Sequence, residues 1–364
     1  MSSVIKPVLL DETGKEMLSA MRTQAAFLSA IARKSINEMT SWKDIQSLVR
    51  QGFAKDVFHI GDQFIVPWTD YKTEGNPVTY QVPLDVVHFD NVELKDGSIV
   101  PAMFLQWHYA IPFDVQFDAA ETVRATGTFS SDYWYYDANN NNKLLTPNVD
   151  YVIGTNIPTD KVYYVSAIKD TSGQICRYGY SNWAHSGLRQ FLNTDGLAGN
   201  WWTAQHVGDT APEIANIKNG FLRGFDDDFR SVIGPIKILT AGNGAIDTGL
   251  GTTYDTFFIP SIEQLYFEPR LASEGGYFEY WKRATESPVP NNIITDELHP
   301  SYVVYDIAAQ RTPCAVFTRT QYSSQFNSYP YNLWRIFYKN NGNATSGAAQ
   351  ANNSLRCTPV CAIY

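Results

Sequence analysis

The sequence is short of cysteine, of basic charge and of long apolar runs, and each shortage excludes a class of protein. Four cysteines among 364 residues are too few for a scaffold held together by disulfides. Only 28 basic residues stand against 37 acidic ones, which argues against a protein that grips nucleic acid through its phosphates. No uncharged apolar stretch approaches the ~18 residues that a membrane-spanning helix needs. The segment MSSVIKPVLLDETGKEM lacks the apolar stretch of a signal peptide, so we expect a soluble protein made in the cytoplasm.

Sequence motifs for metal, phosphate and acyl-transfer chemistry are also missing. The six histidines are scattered, without a HExxH pattern or a pair supported by other ligands. There is no G-x-S-x-G turn, Walker A loop or G-x-G-x-x-G motif. We therefore expect no zinc site and no phosphate-binding loop.

The cysteines favour buried free thiols. On a strand, Cys357 and Cys361 would share one face about 13 Å apart, which is too far for a direct disulfide. Cys314 could meet either of them across a sheet, and that alternative stays open.

Two groups of acidic or amide side chains have features of a metal or catalytic site. Asp137, Asn139 and Asn141 have the first spacings of a calcium loop, but asparagines replace its glycine and its bidentate glutamate. Glu263 and Glu274 could serve sugar hydrolysis only if the fold held them across one bond. Nothing in the sequence brings them together, and we expect Glu263 to cap or orient the turn after Pro260 and Ser261.

Helical patterns dominate the first 52 residues. Apolar residues recur at helical spacing from Asp11 to about Ile36. A second helix is predicted in SWKDIQSLVRQG, with Ser41 as its N-cap and Gly52 as its stop. This N-terminal helical segment, 1–52, either packs on the rest of the chain or serves oligomerisation or docking.

Strand patterns dominate the rest of the chain. We predict a hairpin turn at Gly61 and Asp62 and another turn at Lys95 to Gly97. YSNWAHSGLRQFLNT predicts a helix whose buried side holds Trp183, Leu188, Phe191 and Leu192. FFIPSIEQLYF predicts a strand and a short helix, and the last section alternates strands with polar loops.

One segment, TQYSSQFNSYPYNLW from Thr320 to Trp334, has an unusual composition. It holds three tyrosines, three serines and two asparagines but no acidic residue. Tyrosine offers a large rigid contact area at low entropic cost, and serine and asparagine offer adaptable hydrogen bonds, as in an antibody paratope. The segment is either a binding surface or a polar loop that caps a sheet.

A resemblance favours the binding surface. FHIGDQF, YSNWAHSGLRQFLN, TFFIPSIEQLYF, EGGYFEYWK, VFTRT and SLRCTPVCAI resemble, in order and spacing, a domain common in gut phages and their bacterial hosts. Members often serve as variable proteins of diversity-generating retroelements and have a C-type-lectin fold. The match runs from about residue 56 to 364, apart from about 110–165. In such elements, adenine miscopying can turn an Asn codon into Tyr, Ser, Phe, Asp or His.

The resemblance implies an α+β fold. The N-terminal helical segment would precede a C-type-lectin-like ligand-binding domain, 53–364, of the formylglycine-generating-enzyme-like variant. A β-rich insertion would occupy about 110–165. Terminal strands near Phe58 to Ile65 and Thr358 to Tyr364 would pair to close the domain.

The resemblance also implies a protein that is not an enzyme and that needs no cofactor or metal. It would bind a ligand or receptor through a hypervariable C-terminal surface, with phage host recognition by a tail fibre as the expected role. The partner would be a host-surface protein or a calcium-independent glycan, and the assembly a homo-oligomer, with a trimer as the family-based guess. The protein would belong to the virion if phage-encoded, and otherwise to a bacterium. The expected contact residues are Tyr322, Ser323, Ser324, Phe326, Asn327, Tyr329, Tyr331, Asn332, Tyr338, Asn340, Asn341 and Asn343.

Two rival functions remain. One is a structural virion protein without a variable site, which assembles through its first 52 residues. The other is an oxidase of the formylglycine-generating type, which would need Cys314 paired with Cys357 or Cys361.

Overall fold

A computed structural model describes side chains and backbone over most of the chain outside the N-terminus and the 121–178 region. The described residues are Ser19 and 41–71, 76–120, 127–128, 133–136, 142–145, 150–151, 163–164, 179–205, 209–242, 250–266, 273–286, 304–305, 307–308, 313–322, 332–338 and 344–364. For 127–164, 283–286, 304–305, 313, 332–338 and 344–347, the description covers the backbone alone. The predicted helix from Asp11 to Ile36, apart from the helical Ser19, and the asparagine-rich calcium-like loop lie outside these residues, except for the strand backbone at Asn142.

Helices are few and short among the described residues. The α-helices are α1 (Trp42–Arg50), α2 (Ala54–Val57), α3 (Gly187–Leu192), α4 (Asp227–Arg230) and α5 (Glu279–Glu286). Short 3-10 helices occur at Trp183–His185, Glu213–Asn216 and Phe221–Gly224.

Strands make up most of the regular structure. They are β1 (Gln63–Asp70), β2 (Val78–Glu93), β3 (Ile99–Trp107), β4 (Gly127–Thr128), β5 (Tyr133–Tyr136), β6 (Asn142–Leu145), β7 (Asp150–Tyr151), β8 (Tyr163–Tyr164), β9 (Ile236–Ala241), β10 (Leu250–Asp255), β11 (Phe257–Phe258), β12 (Val304–Tyr305), β13 (Pro313–Cys314), β14 (Val316–Gln321), β15 (Asn332–Tyr338), β16 (Ala344–Gln350) and β17 (Val360–Ile363). The short strands β4 to β8 lie in the region expected to hold a β-rich insertion.

The central sheet is antiparallel and has the order β1-β2-β3-β17-β11. The last strand therefore returns to the middle of the sheet, where Cys361 pairs with Leu105 and Phe257. The expected pairing of the two terminal strands is wrong, because β2 and β3 lie between β1 and β17. The long β2–β3 hairpin separates them.

A second, three-stranded sheet follows the order β14-β15-β16. The remaining described strands pair as β9 with β10, β12 with β13, β4 with β7, and β5 with both β6 and β8. The prediction of an α+β protein is confirmed at this level: the fold is mixed, with antiparallel sheets, mostly β and few helices. Among the described residues, no helix combines the length and apolar character that crossing a bilayer requires.

Helix α1 begins and ends where the sequence predicts. Ser41 has the extended conformation of an N-cap, and Gly52 has a φ of +75° just beyond the helix, a conformation that glycine adopts at little cost. Ile45, Leu48 and Val49 are buried in the core of the domain. The helix therefore packs into the same core as the strands that follow it.

The chain between α1 and β1 corrects one predicted turn. Gly61 and Asp62 precede β1, but residues 54–57 form helix α2 rather than the first strand of a hairpin. The Asp62 carboxylate accepts a hydrogen bond from the His59 amide, 2.8 Å away, and so stabilises a local loop. The predicted turn at Lys95 to Gly97 is confirmed, since it joins β2 to β3 and Gly97 has a φ of +83°.

The helix predicted in YSNWAHSGLRQFLNT is confirmed, and its four predicted apolar residues are buried. Ser186 caps α3 by accepting a hydrogen bond from the Arg189 amide. The Arg189 guanidinium and the Trp183 indole both donate to the fully buried Asp255, at 2.6 and 2.8 Å. Asn193, at the end of α3, accepts from the Phe257 amide and donates to its carbonyl. These bonds fix α3 to the segment that leads into the central sheet.

Candidate functional site

Strand β14 leads into the tyrosine-rich segment, and all six of its residues are buried. Three of them, Thr318, Arg319 and Thr320, are polar and at most 2% exposed. A β-bulge between Phe317 and Gln321 shifts the pairing with β15, and the Arg319 amide donates instead to the Pro260 carbonyl, 3.1 Å away. A bulge re-aims side chains locally, and here it turns the middle of β14 toward the 259–264 segment.

The Arg319 guanidinium joins three separate segments of the chain. Its Nη1 donates to the Ile259 carbonyl at 2.8 Å and to Oε1 of Gln264 at 2.6 Å. Its Nη2 donates to the carbonyls of Leu239 and Glu274 at 3.2 and 3.3 Å. A planar guanidinium with five donors suits this role better than an ammonium. Arg319 therefore cross-links β9, the loop after β11 and the segment before α5.

The charge of Arg319 survives its burial. Burial lowers the pKa of Arg319 to about 10, and the negative charges of Glu274, Asp255 and Glu263 oppose that shift. The guanidinium is accordingly protonated at neutral pH. A buried charge of this kind persists only where partners surround it, and its acceptors meet that requirement.

Glu274 is held by the residue that follows Arg319. The Thr320 hydroxyl donates to the Glu274 carboxylate at 2.5 Å and accepts from the Ile262 amide at 2.9 Å. The Ala241 amide donates to the other carboxylate oxygen. Burial raises the pKa of Glu274, while Arg319 and the hydrogen bonds oppose that shift.

Glu263 and Glu274, which the sequence leaves apart, lie side by side. The Glu263 carboxylate accepts hydrogen bonds from the amides of Glu274 and Gly276, at 2.5 and 3.3 Å, and from the Ser273 hydroxyl at 2.9 Å. Both glutamates are at most 9% exposed. Backbone and hydroxyl donors occupy both carboxylates. The Glu263 carboxylate thereby holds residues 273–276 in place.

The expected role of Glu263 as a cap of the preceding turn needs correction. Ser261 and Gln264 cap that turn reciprocally: the Ser261 amide donates to the Gln264 side chain at 3.1 Å, and the Gln264 amide donates to the Ser261 hydroxyl at 3.0 Å. This is the arrangement of a capping box. The turn that it stabilises is not an α-helix, so the short helix predicted there is also wrong. We call Ser261, Glu263, Gln264, Glu274, Arg319 and Thr320 the buried polar frame.

The predicted contact residues fall into two groups. Tyr322 follows β14 directly and is half-buried against the core. Asn332 and Tyr338 are the first and last residues of β15, paired with Gln350 and Ala344. Because a strand rises about 3.4 Å per residue, these two positions lie about 20 Å apart. Ser323, Ser324, Phe326, Asn327, Tyr329, Tyr331, Asn340, Asn341 and Asn343 lie outside the described residues.

Two exposed tyrosines beside the frame are not among the predicted contact residues. Tyr266 and Tyr277 are 36% and 42% exposed, and their ring centroids lie 5.4 Å apart at an interplanar angle of 89°. The amide of Phe278 donates to the Gln264 carbonyl at 3.0 Å, which ties the two tyrosine-bearing segments together. The run EGGYFEYWK carries the only signal, two glycines followed directly by an aromatic residue.

A second polar cluster joins α5 to β1, β2 and the residue after β3. The buried Asp85 carboxylate accepts from Gln63 at 2.8 Å and from the Tyr280 hydroxyl at 3.0 Å, and it bonds Nδ1 of His108 at 2.8 Å. Burial lowers the pKa of His108, but the hydrogen bond and charge of Asp85 outweigh it, so the pKa is raised. This cluster docks α5 on the central sheet.

Two of the described cysteines are buried free thiols. Cys357 and Cys361 are fully buried and unlinked, as expected, and burial raises the pKa of both thiols above the ordinary value. Neither is a thiolate at neutral pH, the form that acts as nucleophile or metal ligand. Among the described residues, no group of three or more His, Cys, Asp or Glu side chains could hold a metal ion.

Comparison with known families assigns the chain to one of them. Residues 140–350 match the family described as "Domain of unknown function (DUF6273)", which is more than half of the 364 residues. The chain belongs to this family, and the match includes α3, the buried polar frame and β14 to β16. No curated protein and no solved structure matches the chain.

Proposed function

We propose that this protein binds a ligand or receptor without catalysis, through the tyrosine-rich segment that follows β14. In this proposal the domain has a C-type-lectin-like fold, the segment is the variable region of a diversity-generating retroelement, and the role is phage host recognition. The resemblance in the six sequence boxes supports the proposal. The return of β17 into the central antiparallel sheet beside β3 is compatible with it.

The observation that carries the proposal is the change of environment at the end of β14. Gln321 is 2% exposed and follows three buried polar residues. The next residue, Tyr322, is partly exposed and begins a run of tyrosine, serine and asparagine. A binding loop works best when a rigid support fixes its ends. The buried polar frame supplies such a support, because Arg319 and Thr320 are hydrogen-bonded to three other segments.

The geometry of β15 narrows the proposed surface. Asn332 and Tyr338 are the two ends of β15 and lie about 20 Å apart. A small ligand cannot contact these two residues at once. We assign the primary contacts to Tyr322 through Asn332, and we expect Tyr338 and the asparagines after it to contribute only to a large partner.

Binding of the purified protein to bacterial cells tests this function. Full-length protein, fluorescently labelled, is applied to a panel of gut bacterial strains and compared with the variants Tyr329→Ala and Tyr331→Ala. Aromatic anchors dominate interface energies, so we expect each variant to lose about tenfold or more in binding to any strain that the parent protein binds. Tyr71→Ala, an exposed tyrosine after β1, is the matched control.

Thermal unfolding separates binding from structural roles. Surface changes usually shift stability by less than about 0.5 kcal/mol, so the melting temperatures of the two variants should match that of Tyr71→Ala. Loss of stability or assembly with unchanged cell binding would contradict the proposal and favour a structural virion protein.

A further inference from the structure

Tyr266 and Tyr277 form an exposed corner of two perpendicular rings, with a cation at its rim. Nζ of Lys282 lies 5.1 Å from the centroid of the Tyr277 ring and 3.3 Å from its hydroxyl. The corner thus combines apolar ring faces, phenol hydroxyls and an ammonium group. We call these three residues the tyrosine corner.

The backbone of Tyr266 is strained. Its φ is +66°, and it is the single non-glycine residue with positive φ in the described part of the chain. Its amide closes the turn by donating to the Glu263 carbonyl at 2.8 Å. Glycine or asparagine would end such a turn with less strain, and strain of this kind clusters at ligand clamps. Because the ring is 36% exposed, the core does not require a tyrosine here.

Hydrogen bonds support the corner on two sides. The Glu263 carboxylate holds the 273–276 loop on one side, and the hydrogen bond from the Phe278 amide to Gln264 joins that loop to the turn ending at Tyr266. Buried, hydrogen-bonded supports of this kind pre-organise a binding site and lower the entropic cost of binding.

The corner shares its hydrogen-bonded supports with the strand that leads into the tyrosine-rich segment. Thr320, two residues before Tyr322, bonds both the Glu274 carboxylate and the Ile262 amide. One hydrogen-bonded frame therefore supports both the corner and the base of the proposed variable loop. Residues 261–277 lie outside the predicted variable positions, so the corner would be a fixed part of that surface.

We propose that the tyrosine corner is a subsite for one pyranose ring of a neutral or acidic glycan. The face of an aromatic ring carries negative charge, which complements the weakly positive C–H face of a sugar. The phenol hydroxyls and Lys282 supply donors and acceptors for the hydroxyl groups around the sugar. Lys282 disfavours a cationic ligand, because its ammonium already lies against the Tyr277 ring. The surface area of two rings is also much smaller than the roughly 800 Å² that each partner buries in a standard protein interface.

This subsite would give the proposed binding surface a ligand class, the glycans. Its biological role rests on the proposed function of ligand or receptor binding. Saturation-transfer NMR on the full-length protein tests it directly. The probes are methyl glycosides of glucose, galactose and N-acetylglucosamine, and N-acetylneuraminic acid, each at about 10 mM to detect the millimolar affinity of a single ring. We expect transfer to the C–H face of at least one of these sugars.

Three variants locate the binding. Tyr266→Gly should weaken the sugar signal about tenfold, with a melting temperature equal to or above that of the parent because glycine relieves the strain. Tyr277→Ala should weaken the signal similarly. Tyr71→Ala, the matched exposed tyrosine, should leave it unchanged.

Several results would overturn the proposal. These are no transfer to any of the four sugars, transfer that survives both corner variants, or loss of stability in Tyr266→Gly that accounts for the lost signal. Loss of cell binding in the corner variants without any sugar signal would assign the corner to a protein partner instead. If Tyr329→Ala and Tyr331→Ala retain cell binding while the sugar signal persists, the proposed function fails and the subsite stands.

Discussion

Nη1 of Arg319 lies 2.6 Å from Oε1 of Gln264, and both side chains are buried. Gln264 also caps its own turn through the Ser261 amide. The position of β14 is therefore coupled to the turn that ends at Tyr266. A change at Arg319 should reach both the base of the proposed variable loop and the tyrosine corner.

The first prediction concerns the geometry of this arginine. Arg319→Lys keeps the charge but loses the planar fork, and it should lower the free energy of unfolding by about 2–4 kcal/mol because buried carbonyls lose their donors. Urea unfolding measures the change. Arg230→Lys is the control: Arg230 pairs with the exposed Asp195, so its loss should be within about 1 kcal/mol. Equal effects in the two variants would contradict the role assigned to Arg319.

A second prediction concerns helix α1. Since Ile45, Leu48 and Val49 are core residues and Gln46 donates to the Tyr364 carbonyl at 2.7 Å, a protein starting at residue 53 should lose stability. Removing even one buried leucine or isoleucine side chain costs about 2–5 kcal/mol. A protein starting at residue 41 retains the helix and serves as the control. Thermal unfolding compares the two, and equal melting temperatures would show that α1 does not belong to the core.

Asn193 gives a third prediction. Its side chain accepts from the amides of Thr256 and Phe257 and donates to the carbonyls of Phe257 and Arg189. Asn193→Ala leaves these backbone groups without their partner and should cost about 2–3 kcal/mol. Asn91→Ala, at an exposed position, should change stability by less than about 0.5 kcal/mol. A loss no larger than the control's in urea unfolding would refute this role.

The fourth prediction is a pH dependence with opposite signs at two histidines. The pKa of His108 is raised in the folded state by Asp85, so its stabilising contribution is present below the unfolded pKa of about 6.5 and is lost as pH rises through the folded pKa. Burial lowers the pKa of His88, although Asp90 and Glu279 oppose the shift. Its contribution is therefore lost as pH falls below about 6.5.

Unfolding measured between about pH 5.5 and 8 separates the two histidines. Relative to the parent, His108→Gln should lose stabilisation at the acidic end, and His88→Gln should lose the acid-induced destabilisation. His108 contacts Asp85, Gln63 and Tyr109. Tyr280 donates to the same Asp85 carboxylate, and Tyr280→Phe removes that donor without changing any charge. The same pH slope in the parent and in His108→Gln would refute the assignment.

The elements with clear local signals could be predicted from the sequence. Ser41 and Gly52 bracket α1, and the apolar spacing of Trp183, Leu188 and Phe191 marks the helix around α3. These signals are local, since caps and helical spacing depend on neighbouring residues. The hairpin predicted at Gly61 is wrong because residues 54–57 form a helix, and short apolar runs do not distinguish helix from strand.

The bonds of Arg319 and Thr320 in the buried polar frame could not be predicted, because they join residues far apart in sequence. Glu263 and Arg319 are separated by more than fifty positions, and nothing near Arg319 indicates that its donors reach Leu239 and Ile259. The strain at Tyr266 is likewise invisible in sequence, since it depends on how the turn closes. The tyrosine-rich segment, in contrast, stands out by composition alone, and its role stays a prediction.

Sequencing this gene and its flanking DNA in the population that carries it tests the central claim most directly. The account predicts substitutions confined to about Gln321 to Ser354, at codons where a nearby template copy has adenine, with Tyr322 through Asn332 the most variable. Arg319 and Thr320 should not vary, because they hold the buried polar frame, and neither should Trp334, which lies within strand β15. An invariant segment with no template copy or reverse transcriptase nearby would contradict the claim.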